Sequence, residues 1–224
     1  MMSLERLIRP AGAGLALLAL TGCVSLIPEA EPVSVYRLSS PAPREWSGTD
    51  WTIVEIEAPL APRGLAGDQI AIIANGQSLS YIAGARWISP APSVVQNLVI
   101  DTFNATQPGL APARPDDGVR GDYELRMDMR QFEAVYDQGE SAAPLVRVRL
   151  ASRLVAERGR RFVGARVFSA EVRASSNRTG AIIDAFDAAA SEISSEIAGW
   201  TARAIRRAEG NDDGEGNDRE GGAD

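Results

Sequence analysis

Histidine is absent from this 224-residue chain, and cysteine occurs once. Without imidazole the chain lacks the commonest general base, the commonest metal ligand and the usual activator of a serine nucleophile. Lysine is missing too, so all 23 basic residues are arginine and no amine can take over the base's role. We read this arginine bias as a mark of GC-rich coding more than as selection for guanidinium chemistry. One thiol cannot make an internal disulfide, so the fold rests on packing even in an oxidising compartment. A clustered basic face is also lacking, which argues against nucleic acid as a partner. The formal charge is −7, and most of it lies after Ala208, where Glu209, Asp212, Asp213, Glu215, Asp218, Glu220 and Asp224 face Arg219 alone. Enzyme readings fail at the level of parts, and we expect no metal site and no catalytic residue.

What is present begins at the N-terminus. Arg6 and Arg9 precede an uncharged apolar stretch, Ala11 to Leu20, of about ten residues, short of the roughly 20 that cross a bilayer as a helix. Leu20-Thr21-Gly22-Cys23 follows. Positive, apolar, then small is the order of an export signal, and Leu-Thr-Gly-Cys resembles the bacterial lipobox. Residues 1–22 are therefore expected to be a lipoprotein signal peptide. The Cys23 thiol would carry diacylglycerol and the new N-terminus an acyl chain such as palmitate, with no other cofactor. Buried lipid methylenes contribute about 0.8 kcal/mol each, so two or three chains give lasting attachment. Residues 23–32, with two prolines and two glutamates, read as a tether whose extended reach is no more than about 30 Å.

The remainder reads as a single α+β domain, a largely antiparallel sheet with two packed helices. Strands are expected at Val33–Leu38, at Trp51–Ala58, and as a hairpin from Gln69–Ala74 to Ser78–Ile82 across the turn signal Asn75-Gly76. A helix opening near Pro92 carries Val94, Val95, Leu98, Val99 and Phe103 at helical spacing. Pro108 to Gly121 reads as a long loop. Alternation then begins at Tyr123, Leu125, Met127 and Met129 and changes parity to Phe132, Ala134 and Tyr136, which predicts a bulge near Arg130 or Gln131. Two further strands flank the turn Glu157–Arg161. The apolar stripe of Thr179 to Arg207 predicts a long helix. Residues 33–207 form the domain in this reading, and 208–224 an acidic tail too poor in apolar side chains to order.

Motifs that suggest chemistry are weak. Arg63-Gly64-Leu65-Ala66-Gly67 lacks the remaining elements of a phosphate loop or dinucleotide fingerprint. Asp116-Asp117 lies in a loop and Asp212-Asp213 in the tail, where neither pair is held for acid–base work. Arg86-Trp87, running into a Pro-bounded helix start that carries Gln96, leaves two readings open. Arg and Trp are enriched where proteins dock; equally, Trp87 could cap the core while Arg86 pairs with a nearby acid.

Tyr36-Arg37-Leu38 after a lipobox, Arg63-Gly64-Leu65 through Gly67 to Ile70, Tyr81, Ala85-Arg86-Trp87 with Pro90 and Gln96, and Ala185-Phe186-Asp187-Ala188-Ala189 through Trp200 resemble, in this order, the ABC-type transport auxiliary lipoprotein family. PqiC-like lipoproteins are members. The resemblance spans about Val33 to Ile205. It implies a non-catalytic component of an MCE/ABC-type lipid transport system, for phospholipid or sterol, whose partners are a periplasmic MCE-domain protein and its inner-membrane ABC permease and ATPase. Arg63, Arg86, Trp87 and Gln96 are the candidate partner-binding residues, and self-association into a homo-oligomer is compatible with such a role. Val24 after the cysteine favours the periplasmic face of the bacterial outer membrane over the inner membrane. Two other readings stand beside this one: a lipid carrier with its own cavity between helix and sheet, and a structural envelope protein binding peptidoglycan or a Tol-like partner.

Overall fold

The computed structural model describes residues 32–217 except Thr49, Asn75 and Gly76, with side chains as far as Gly210. Cys23, the signal segment, the tether up to residue 31 and the Asn75-Gly76 turn lie outside the described residues. The elements run β1 (Ser34–Tyr36), β2 (Thr52–Ile56), β3 (Gln69–Ala74), β4 (Ser78–Trp87), α1 (Ala91–Thr106), β5 (Leu110–Ala113), β6 (Tyr123–Val135), β7 (Leu145–Ala156), β8 (Arg161–Arg173) and α2 (Thr179–Asn217).

The long strand β6 organises the sheet. Its inward side chains Tyr123, Leu125, Met127, Met129, Phe132 and Ala134 are all buried. The parity change appears as a register shift between Met129 and Gln131 in the pairing with β7. Along one edge β6 pairs antiparallel with β7 over its whole length, and β7 pairs antiparallel with β8. Along the other edge two short strands lie end to end. β2 pairs in parallel with Tyr123–Leu125, and β3 in parallel with Ala134–Val135. Between them Leu60 bridges Asp128, accepting from Met129 N–H at 2.7 Å and donating to the Met127 carbonyl at 2.8 Å.

The α+β class therefore holds, with a mixed sheet. Its long ladders are antiparallel, and its short ones (β1–β4, β2–β5, β2–β6, β3–β6) are parallel. The stretch 108–121 is not all loop, because Leu110–Ala113 forms β5 on the outside of β2. Its Pro112 obscures the signal in sequence, yet an edge strand tolerates proline on its unpaired side.

α1 starts behind Pro90, and Pro92 fits the first turn because that N–H has no partner within the helix anyway. Val94, Val95, Leu98, Val99 and Phe103 face the core, and α1 packs on α2. α2 covers β7 and β8 with Ile182, Phe186, Ala189, Ile193, Ile197 and Trp200. The helix does not stop at Arg207. Ala208 is still buried, and the helix continues to Asn217, so the tail expected to lack order from residue 208 is helical over its first half. Extending an existing helix adds a backbone hydrogen bond for each residue fixed, with no new nucleation to overcome. Among the described residues no helix is long and apolar enough to cross a membrane.

Candidate functional site

Most of the residues that carry the family resemblance converge on one corner of the fold, where β1, the end of β4, the 3₁₀ turn Arg63–Leu65 and the start of α1 meet. Tyr36 of β1 pairs with Trp87 of β4, and the strand continues as Ile88 N–H donates to the Tyr36 carbonyl at 2.8 Å. Gly67 and Asp68 close the corner with their carbonyls. Asp68 accepts from Trp87 N–H at 2.7 Å and Gly67 from Ala91 N–H at 2.9 Å, so one orphan amide of the α1 start is satisfied by backbone. Tyr81 Oη donates to the Gly64 carbonyl at 3.1 Å. A Cβ at position 64 would meet Leu79 Cδ2, the tip of an exposed side chain that would have to swing aside.

Trp87 is 1% exposed. Its ring lies 5.5 Å from that of Phe132 and 5.4 Å from that of Phe186, and these two stand 5.0 Å apart. Gln96 is also buried, and its Nε2 donates to the Ile56 carbonyl at 2.8 Å. Trp87 and Gln96, expected as partner contacts, are thus interior residues. The strand phase that turns Arg86 outward turns Trp87 inward, and the second turn of α1 presents Gln96 to β2. Arg63 and Arg86 are exposed, and Arg86 Nη1 sits 3.4 Å from Asp68 Oδ2. Exposed pairs of this kind contribute between about 0 and 1 kcal/mol, so the guanidinium remains available. Ile88, 64% exposed, stands beside them.

The α2 motif joins the same corner from behind. Phe186 completes the aromatic cluster, and Asp187 Oδ1 accepts from Ser39 N–H at 2.6 Å, fixing the chain that leaves β1. A cleft of about 270 Å³ opens next to it, with Arg37, Ser40, Ile88, Asn97, Asp101 and Arg114 in its wall. α2 packs on the sheet as part of the one hydrophobic core, Trp200 meeting Phe168 at 5.8 Å.

A second polar constellation was not visible in sequence. Glu124 lies in the wet phase of β6, yet it is 5% exposed. Arg126 Nη2 binds its Oε1 at 2.6 Å, and Arg160 approaches Oε2 at 4.0 Å. Burial works to raise the Glu124 pKa, but hydrogen bonds from the Glu57 carboxyl and from Arg126 outweigh it and hold the group below the usual carboxylate range. The shared hydrogen bond, then burial, pushes Glu57 the other way. The two acids thus stand side by side, Glu124 on β6 and Glu57 just past the end of β2, with Glu57 the better proton holder. Arg160 has φ +50, a left-handed backbone that arginine seldom adopts, at the turn between β7 and β8. The cluster joins the end of β2, β6 and the β7–β8 turn, so no single-strand pattern reveals it.

Comparison with known proteins adds the family. The family model described as "ABC-type transport auxiliary lipoprotein component" matches residues 36–198. An uncharacterized protein of Bradyrhizobium diazoefficiens is 33% identical over 119 residues, covering 53% of this chain; the chain spans only 31% of that relative's length. The crystal structure of a Xanthomonas campestris protein of the DUF330 family superposes with a TM-score of 0.70 at 25% identity, covering 79% of this chain and 99% of that one. A crystal structure of an uncharacterized protein shares the fold at TM-score 0.60 and 16% identity, covering 78% and 99% of the two chains.

Proposed function

This chain belongs to the ABC-type transport auxiliary lipoprotein family, and from that premise we propose that it is the non-catalytic, lipid-anchored component of an MCE/ABC-type lipid transport system. In this reading Cys23 carries the anchor, residues 24–32 are the tether, and the domain of residues 33–207 binds the periplasmic MCE-domain subunit from the inner face of the outer membrane. The observation that carries the reading is the match over residues 36–198, within which Arg63 and Arg86 lie exposed at the corner described above. Trp87 and Gln96 act there as positioning residues. They hold the β4–α1 junction in place so that, beside it, a partner meets Arg86 with little backbone left to order.

The test uses the full chain expressed in its own host. Cys23→Ser should move the protein from the membrane fraction to the soluble periplasmic fraction and abolish palmitate labelling. Arg63→Glu with Arg86→Glu should weaken co-purification with the MCE-domain subunit at least tenfold, with an unchanged melting temperature. A wild-type chain that does not co-purify with that subunit overturns the reading.

A further inference from the structure

Two long stretches of strand edge are open among the described residues. β8 pairs only with β7, and β4 is paired on its outer side only at Ala85–Trp87, where β1 lies. The two edges differ in kind. β8 carries Arg161, Arg166, Glu171 and Arg173, the kind of charge that keeps another strand away. The β4 edge from Ser78 to Gly84 reads Ser-Leu-Ser-Tyr-Ile-Ala-Gly, without a charge or a proline. Ser78, Leu79, Ser80, Ala83 and Gly84 are exposed along it.

This edge borders a groove of about 500 Å³. Val33 and Leu79, 45% and 39% exposed, supply its apolar surface. Arg86 is the single charged residue in its lining, at the end where β1 begins. Gly84, with φ +66, turns the strand at that end without a side chain in the way. Strand addition needs backbone donors and acceptors in a row, which Ser78–Tyr81 offers in regular register with β3 before the bulge that leads to Gly84 and Arg86.

We propose that the Ser78–Gly84 edge of β4 receives an extended, uncharged segment of the partner subunit, which adds as a strand in line with β1 and places a carboxylate beside Arg86. The inference rests on the partner reading given above and names the surface through which it acts. The charge of the groove supports a segment that is neutral along its length and acidic at one end. β1 already occupies the same edge one segment further on, so the geometry of an added strand is set by the sheet.

Hydrogen–deuterium exchange of the full chain, with and without the purified MCE-domain subunit, tests it. Amides of residues 78–84 should slow at least tenfold on binding, while those along the β8 edge stay unchanged. Ser80→Lys with Ala83→Lys, at two exposed positions, should reduce binding at least tenfold at an unchanged melting temperature, and Val167→Lys with Ser169→Lys on β8 should leave it intact. If the wild-type chain binds the subunit but residues 78–84 gain no protection, the edge proposal falls and the partner reading survives; if the wild-type chain does not bind, both fall. Full protection already present in the isolated dilute chain would assign the edge to the chain's own upstream segment, and protection that grows with chain concentration would assign it to a second copy. Either result overturns the proposal.

Discussion

The indole of Trp87 meets the ring of Phe186 edge to face, with centroids 5.4 Å apart and planes at 84°. This contact ties β4 to α2 through the centre of the domain, and Phe132 of β6 closes the triangle. Trp87→Ala should therefore cost about 3–5 kcal/mol of stability, read from urea unfolding of the domain. Trp87→Phe keeps part of the contact and should cost less than half as much. An alanine variant within about 1 kcal/mol of wild type would contradict the burial described. Binding lost in such a variant would report on folding, which makes Arg86 the cleaner probe of the surface.

Gln96 donates to the Ile56 carbonyl of β2 from a buried position on α1. Gln96→Leu keeps the volume and removes the donor, so the buried Ile56 carbonyl loses that hydrogen bond. The expected loss is about 1–3 kcal/mol, with a melting temperature lowered by several degrees. Gln96→Glu should be worse at neutral pH, because it places a carboxylate against that carbonyl, and should recover toward wild type as the medium is acidified.

Asp137 and Arg173 form a two-pronged pair at 2.6 and 2.9 Å across the end of the sheet. Hydrogen bonds from Arg173 hold the Asp137 carboxyl below the ordinary aspartate range, against the opposing effect of burial. A group whose folded pKa is depressed stabilises the fold above its unfolded pKa, and that contribution disappears as pH falls through the folded value. Asp137→Ala should thus lower the melting temperature at neutral pH, and the difference from wild type should shrink below about pH 4. A difference that persists undiminished in strong acid would assign the effect to packing and not to charge.

Thr201 lies on the buried face of α2, 0% exposed, and its hydroxyl has no hydrogen-bond partner among the described residues. Thr201→Val keeps the shape and removes the unsatisfied group. We expect a gain of about 1 kcal/mol, since a buried hydroxyl without a partner is costly and the two residues have similar helix propensity. Calorimetry should show the variant melting above wild type; a loss of stability would mean that the hydroxyl has a partner in solution.

Much of the architecture was legible because two periods dominate the chain. The alternation from Tyr123 to Val135, including the slip in parity, marked β6 and its irregularity between Met129 and Gln131. The stripe in α2 marked both the helix and its buried face. Parallel pairing was not legible, because β2 and β3 look the same in sequence whichever way their neighbour runs. β5 was hidden by its proline and its short length. At the candidate corner, the sequence brought the right residues together but left the facing of Arg86 and Trp87 undecided. Strand phase resolves it, and the bulged pairing between Gln69 and Ala71 is what keeps a single strand from revealing that phase. Glu124 was hidden for a different reason: its partners Glu57, Arg126 and Arg160 come from the end of β2, from β6 and from the β7–β8 turn.

The end-to-end seating of β2 and β3 on β6 also sets a schedule. A chain that emerges N-terminus first presents Val54, Ile56 and Ile70, and the α1 face that packs with them, well before the strand on which β2 and β3 rest has appeared. Contacts so distant along the chain form late. The pairings β1–β4, β2–β5 and β3–β4 lie within the first half, but the edges of β2 and β3 that face β6 stay open until Tyr123–Val135 arrives, and then both short strands can close on it together. A polypeptide that postpones its own closure in this way remains threadable while it is being moved across a barrier.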